Sequence, residues 1–442
     1  MAAGGRVSDM RIRRPPFRLH LRGGSVVNNA TPSVWRVRDY RAWFVGDTLT
    51  QVGLSVGSFA FTLLGYHLTA DAFLAGLIGT VSAAARAVAI LPGGVLADMF
   101  DARRLMIWSG LGAFGIYGVL SGMYLTETLT TGSLLVIAAC EGMVVGLFFN
   151  VTDVALPRIV GKELLADASA ANQSRDAAIR LAAAPVSGFL FGLHPSVPLI
   201  VSAVTRLGEV GSALAIKKNL APERRDDAPA VRSLSSGSRW LAAWRQPRVL
   251  IGLVVLVNFA LGACGMTIVL SQQEAGTPAW QIGIIQTFQG AGVLAGGVVV
   301  GWALRRLSGQ RIVQISICTI TIAFSGLLFT QSVWVVAVLG FVASLPLIPL
   351  NAVQGSFLAL IIPDQIRGRV LSLSSLLGSL AGALAPLLAG TLLEYSNYAT
   401  AIGVPLAILA SAAIAAVFSK AVASIPRRSE FGRIEALPVR PR

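Results

Sequence analysis

Twelve long apolar runs constrain what this chain can fold into, because each approaches the roughly 20 residues that cross a lipid bilayer as a helix. They lie at 42–67, 72–96, 105–125, 133–153, 170–193, 197–216, 250–270, 280–304, 312–330, 333–354, 370–393 and 399–420. Only 13% of the residues are charged, about half the share that is typical of soluble domains. The pattern predicts an all-α integral membrane protein with twelve transmembrane helices in two six-helix halves.

The distribution of lysine and arginine predicts the orientation, since these residues concentrate in cytoplasmic loops. Of the 36 lysines and arginines, 32 lie in the terminal segments and in every second connection, whereas the six other connections hold none. Both termini are therefore predicted to be cytoplasmic, with the chain in the cell inner (plasma) membrane. The same asymmetry explains the net charge of +15, so a nucleic-acid partner is not expected, whereas contact with the lipid bilayer is.

The polar segments divide the chain into five parts. We expect a basic cytoplasmic tail at 1–41, a six-helix half at 42–216, a cytoplasmic linker at 217–247, a second half at 248–420 and a C-terminal tail at 421–442. The first tail holds nine arginines and two acidic residues. This composition is typical of a disordered tail, but an organelle transit peptide or an early start codon would give the same pattern.

An internal repeat links the two halves, since three pairs of positions recur at a spacing of about 200 residues. They are 94–104 with 301–311, 163–172 with 365–374, and Pro185 and Gly188 with Pro386 and Gly390. Each half has an even number of spans, so both insert in the same orientation. Parallel halves related by a pseudo-two-fold axis along the membrane normal, with a substrate site between them, are typical of transporters.

Sequence motifs support this interpretation. The stretch GVLADMFDARR at 94–104 is similar to the signature loop between the second and third helices of the major facilitator superfamily. Asp101, in place of the usual glycine, resembles the exporter branch that includes enterobactin exporters and macrolide-efflux proteins, as do 38–53, 156–172 and 231–250. The resemblance implies the superfamily fold and secondary transport by alternating access.

Two positions depart from the superfamily pattern. Glu141 and Gly142 stand near the place of an arginine in the fourth helix, and Ala184–Pro185 replaces the Gly–Pro of the antiporter motif in the fifth. The resemblance therefore keeps proton antiport as an expectation without supplying its usual residues.

The signature loop predicts a gate. The resemblance places Asp98 against the start of the eleventh helix, near Arg369, where a carboxylate interacts favourably with the helix N-terminus. This contact would join the halves on the cytoplasmic side, in the outward-facing state only. Gly94 would permit close helix approach, and Arg103 and Arg104 would keep the loop in the cytoplasm. An ordinary loop with cytoplasmic arginines is the alternative.

Ionisable side chains within the apolar runs are costly unless they are paired or hydrated, so each is a candidate functional residue. All of them lie in the first half. The candidates for proton coupling are Glu141, near the middle of its run, and Asp47, Asp153 and Asp176. The candidates for binding substrate or balancing charge are Arg180, Arg206, Gln286, Gln289, Asn351 and Gln354. Alternatively, Arg206 would pair with Glu209, three residues later, and Arg86 would extend to the interface.

Other chemistry is not indicated. The chain has no GxxxxGK[ST] motif for binding ATP phosphates and no clustered histidines, so neither a cofactor nor a metal site is predicted. We predict a monomeric, proton-coupled exporter of a small amphipathic compound, such as a siderophore, a drug or a metabolite, and not an enzyme. The alternatives are an importer, a lipid flippase, or a membrane sensor or scaffold that does not transport.

Overall fold

A computed structural model describes residues 33–149, 151–161, 163–221, 231–433 and 436–438. Most of the predicted N-terminal tail and part of the linker therefore lie outside the described residues. Within these ranges, twelve helices are long and apolar enough to cross a membrane. The prediction of an all-α membrane protein with twelve spans is confirmed.

The helices of the first half are α1 (Arg38–Thr69), α2 (Ala72–Met99), α3 (Ala102–Leu125), α4 (Thr131–Leu147, continued by Val151–Val160), α5 (Leu165–Leu193) and α6 (Ser196–Ala215). Those of the second half are α7 (Arg245–Glu274), α8 (Ala279–Arg306), α9 (Gly309–Ser325, continued by a 3-10 turn at Gly326–Phe329), α10 (Val333–Ser344 and Leu347–Ile361), α11 (Asp364–Tyr395) and α12 (Tyr398–Phe418).

Several helices extend beyond their apolar runs at the end of the bundle where α1 begins, which we call the terminal face. For example, α10 ends at Ile361 rather than at residue 354, and α11 begins at Asp364 rather than at residue 370. A helix satisfies its backbone hydrogen bonds internally and can continue beyond the lipid, whereas hydropathy marks only its apolar part. The apolar runs in the sequence therefore did not include these polar extensions of the helices.

The halves meet at the other end of the bundle, the opposite face. Here α2 packs on α11 and α5 packs on α8. The contacts are close because they involve glycine: a side chain on Gly76 would collide with the Pro386 carbonyl, and one on Gly188 with the Ala279 carbonyl. Leu387 N also donates to Thr80 Oγ1 across the halves, at 3.0 Å.

Towards the terminal face the same helices separate. A side chain added to Gly94 of α2 or to Gly378 of α11 would meet no atom within 4 Å. With the opposite face closed and the terminal face apart, the bundle is open on the side where α1 begins and α12 ends.

The linker and the C-terminal segment both pack on the terminal face of the second half. The linker forms a helix over Val231–Ala243, in which the Trp240 indole donates to the Pro438 carbonyl at 3.1 Å. After α12, Ile425 is buried, and the backbone of Gly309 donates to Pro426 at 3.0 Å. The described part of the segment predicted as a C-terminal tail is thus packed against the helices.

Candidate functional site

A cavity of about 1200 Å³ lies between the two halves. Its walls come from α1, α2, α4 and α5 of the first half and from α7, α8, α10 and α11 of the second. Apolar groups such as Phe59, Ile78 and Met266 line much of it. The cavity can therefore accept a compound that has both an apolar body and polar groups.

Three ionisable side chains line this cavity, Arg86 of α2, Glu141 of α4 and Arg180 of α5. Both arginines are exposed, and neither lies within 4 Å of a carboxylate among the described residues. The Arg86 guanidinium lies 5.1 Å from the centre of the Phe149 ring. The site therefore offers two positive groups that are free to meet a ligand.

Glu141 is held on the wall by α2. Its carboxylate accepts a hydrogen bond from Ser82 Oγ at 2.8 Å, and the residue is only 8% exposed. This contact requires α2 and α4 to touch, which two glycines allow: a side chain on Gly142 would collide with the Ser82 carbonyl, and one on Gly146 with the Arg86 carbonyl. The glycine after Glu141 thus places the acid beside α2.

The wall of the second half carries neutral hydrogen-bonding groups and no charged side chain. Those that line the cavity are Gln286, Gln289, Ser344, Ser375 and Ser379. Of the polar residues predicted to bind substrate, Gln286 and Gln289 therefore lie in the cavity. Asn351 and Gln354 instead border a separate cavity of about 10 Å³, between α7 and α10.

Arg206 does not reach the central cavity. Its Nη1 lies 3.1 Å from Glu209 Oε2, and both side chains are buried at the centre of the first half. The expected ion pair is therefore present, and the role in substrate binding lacks support from this arrangement. Arg206 lies near Glu141 and the buried Tyr117.

A second charged cluster lies nearer the terminal face, where Arg175 of α5 bonds to both Asp47 and Asp176. Its guanidinium also lies 5.0 Å from the centre of the Phe44 ring. Asp47 is 2% exposed, whereas Asp153 is exposed, and none of these aspartates lines the cavity. The sequence predicts no role for Arg175, because nothing local indicates that α1 supplies its partner.

The residues of the predicted gate stand apart in this conformation. Asp98 is exposed and forms no hydrogen bond or ion pair with Arg369 or any other described residue. Arg103 donates to the Lys218 carbonyl at 2.8 Å, and Arg104 is exposed. The close approach expected at Gly94 occurs instead at Gly93, where a side chain would collide with the Leu147 carbonyl.

The N-terminus of α11, which Asp98 is predicted to contact, also differs from the expectation. Because α11 begins at Asp364, Arg369 lies in its second turn rather than at its start. Asp364 already places a carboxylate in the first turn and lies 2.6 Å from Arg367. Arg369 lies beside Gly237 of the linker helix.

Twelve spans in two halves, with a cavity between them that is closed on one side and carries a few charged and polar groups, are typical of a membrane transporter. The chain belongs to the Major Facilitator Superfamily, since the sequence profile of that family matches residues 44–353 and 270–440. The family thus indicates a multi-pass membrane transporter rather than an enzyme, and transporters of this kind imply a small-molecule substrate.

Similar proteins include transporters of different substrates. A stretch of 140 residues is 34% identical to the cis,cis-muconate transport protein of Acinetobacter baylyi and spans 32% of each chain. The fold is similar to the nucleoside transporter NupG, with a TM-score of 0.68 and 12% identity over 85% of this chain and 98% of that one.

The fold is also similar to a bacterial homologue of the iron transporter ferroportin in its inward-facing state. The TM-score is 0.65 and the identity 18%, over 87% of this chain and 98% of the other. At such identities the structural likeness shows the fold alone. The expected membership of the exporter branch is not supported by these relatives.

Proposed function

We propose that this protein is a proton-coupled transporter of a small organic anion and that it works in the direction of uptake. The observation that carries the proposal is the pair of exposed arginines, Arg86 and Arg180, in a cavity whose one carboxylate, among the described residues, is Glu141. Arginine presents a planar array of N–H donors that suits a carboxylate ligand.

The charges of the cavity favour an anion over a cation or a neutral compound. With Glu141 ionised, the two arginines leave the cavity with one excess positive charge; with Glu141 protonated, they leave two. A charge that is unpaired at membrane depth is costly, so a ligand that neutralises it is bound favourably. The apolar wall, including Phe59 and Met266, suits the carbon skeleton of the same ligand.

Glu141 supplies the coupling to protons. An ionised Glu141 repels an anion on the nearby Arg86, whereas protonation removes the repulsion. Proton and anion therefore bind cooperatively, and each raises the affinity for the other by the same factor. Cooperative binding leads to transport of both in one direction, which is symport, rather than to the exchange expected of an exporter driven by proton entry.

The direction follows from the proton gradient together with the predicted topology. If the terminal face, with its lysines and arginines, is cytoplasmic, the present conformation is inward-facing. In a membrane across which protons enter the cytoplasm down their gradient, a symporter accumulates its anion on the cytoplasmic side.

The partial relative suggests a first probe. Its name gives cis,cis-muconate as the transported compound, and this is a dicarboxylate of a size that the cavity accepts. In proteoliposomes with an imposed inward pH gradient, we expect accumulation of labelled muconate or of another small dicarboxylate from a panel.

Variants separate this function from its rivals. Arg180→Gln and Arg86→Gln should each weaken accumulation at least tenfold, while Arg311→Gln, which removes an exposed arginine at the terminal face, should leave it unchanged. If both cavity variants transport anions normally, or if only neutral or cationic compounds are carried, the proposal is wrong. Binding of an anion without any transport would instead favour the sensor or scaffold function.

A further inference from the structure

The opposite face contains a bond between the halves that mirrors the predicted gate at the terminal face. Glu394, next to the last residue of α11, accepts a hydrogen bond through Oε2 from the backbone N–H of Ala72, at 2.9 Å. Ala72 is the first residue of α2. A carboxylate at the end of a helix in one half thus meets the N-terminus of a helix in the other.

This position suits a negative charge. The first N–H groups of a helix have no partner within the helix, and the aligned peptide dipoles give that end a partial positive charge. The Asp71 side chain accepts from the Leu74 N–H at 2.8 Å, while Glu394 accepts from Ala72. The N-terminus of α2 is therefore satisfied jointly by its own half and by the other half.

The residues around this hydrogen bond also pack between the two halves. The rings of Phe73 and Tyr395, which follow Ala72 and Glu394 in their helices, lie with centroids 6.0 Å apart. One turn deeper, Gly76 packs on the backbone of α11 at Pro386 and Gly390. The bond from Glu394 therefore lies at the outer rim of a close contact between the halves.

The geometry of α2 and α11 makes the two ends comparable. The helices run antiparallel, so the end of each lies beside the start of the other. Both carry an acid near that end: Asp98 on α2 and Glu394 on α11. In this conformation Glu394 is bonded across the halves and Asp98 is exposed.

We propose that Glu394 is a gating residue that stabilises the conformation closed at the opposite face, as the counterpart of the gate that the signature loop predicts at Asp98 for the terminal face. The bond to Ala72 must break for the opposite face to open. The ratio of the two conformations then depends on the difference between two carboxylate–helix interactions, one at each end of the same helix pair.

The test measures this ratio in the full chain, reconstituted in liposomes without substrate. Spin labels at Thr128 and Ser332, in opposite-face loops of the two halves, report whether that face is closed, after the native cysteines are replaced. Glu394→Gln should reduce the closed-to-open ratio about two- to fivefold. Glu394→Ala, which also removes the acceptor, should reduce it about tenfold.

Two further variants make the result decisive. Glu127→Gln removes another exposed acid at the opposite face and should leave the ratio unchanged. Asp98→Asn should shift the ratio the other way, so that Asp98→Asn combined with Glu394→Gln returns it close to the wild-type value. If Glu394→Gln behaves like Glu127→Gln, or if the double variant matches Asp98→Asn, Glu394 does not act as a gate. If the double variant instead matches Glu394→Gln, Asp98 does not act as its counterpart. None of these measurements depends on the transported compound.

Discussion

Replacing Glu141 by glutamine should convert a pH-dependent affinity for the anion into one that is high at every pH. The change removes the charge and keeps a side chain of the same shape, so that the Ser82 hydroxyl still has an oxygen to bond. In the wild type, affinity for the anion should fall as pH rises and Glu141 ionises. In Glu141→Gln it should remain at the low-pH value throughout.

The size of the effect follows from the geometry of α2. Ser82 bonds to Glu141, and Arg86 lies one helical turn further along the same helix. An anion on the Arg86 guanidinium therefore lies about 7 Å from the Glu141 carboxylate, given a turn of about 5.4 Å and the reach of the side chains. Two unit charges at that distance repel by about 0.6 kcal/mol at the dielectric constant of water and by about 2.4 kcal/mol at an effective value of about 20. Affinity should thus change about 3- to 60-fold between the two charge states of Glu141.

The assay is anion binding to detergent-solubilised protein over a pH range in which the probe stays fully ionised. Asp153→Asn is a matched control, because Asp153 is an exposed acid of α4 outside the cavity. In proteoliposomes, Glu141→Gln should lose accumulation driven by a pH gradient and retain exchange of labelled for unlabelled anion. A pH-dependent affinity that persists in Glu141→Gln, or that disappears in Asp153→Asn, would refute the role given to Glu141.

Three further predictions concern the frame of the site. Arg206→Gln leaves the buried Glu209 without its ion-pair partner and should lower the free energy of unfolding by about 3–5 kcal/mol. Replacing Glu209 by glutamine as well should recover much of this stability. Equal melting temperatures for the single and double variants would contradict the prediction. Asp98→Asn should favour the present conformation by about two- to fivefold, seen as a shorter mean distance across the opposite face, and no change would remove Asp98 from the gate. A cysteine at Gly132 should react with an impermeant reagent in sealed cells and one at Ser236 should not; the reverse pattern would invert the topology.

The count and length of the helices were predictable because the bilayer leaves few choices. A chain in lipid must satisfy its backbone internally, so each apolar run of sufficient length becomes a helix. The linker helix over Val231–Ala243 was missed for the complementary reason. It lies outside the apolar runs, and its packing depends on Pro438 at the far end of the chain.

The roles of some site residues were predicted and those of others were not. Hydropathy locates a charged residue within a membrane span but does not show which way its side chain faces. Arg180 and Arg206 both lie deep in apolar runs, yet the first lines the cavity and the second pairs with Glu209. A spacing of three residues did indicate that pair. Arg86 was expected to extend to the interface, but it faces the cavity.

Glu141 shows what additional signal the sequence held. It precedes Gly142 and Gly146, a spacing that marks one face of a helix for close packing. Since these glycines contact the backbone of α2 at Ser82 and Arg86, the acid beside them had to lie near that helix. The spacing was available in the sequence, but the partner helix was not, because only the fold brings α2 and α4 together.

The distribution of charge between the halves bears on which anion the transporter would carry. All three ionisable groups of the cavity belong to the first half, so their mutual distances persist when the halves move. Passage between conformations encloses the site, and enclosure penalises net charge. Arg86 and Arg180 with a protonated Glu141 balance a dianion, whereas the same arginines with an ionised Glu141 balance a monoanion. A dicarboxylate would therefore move together with one proton and a monocarboxylate without one, which makes the dependence on the pH gradient a property of the substrate's charge as well as of Glu141.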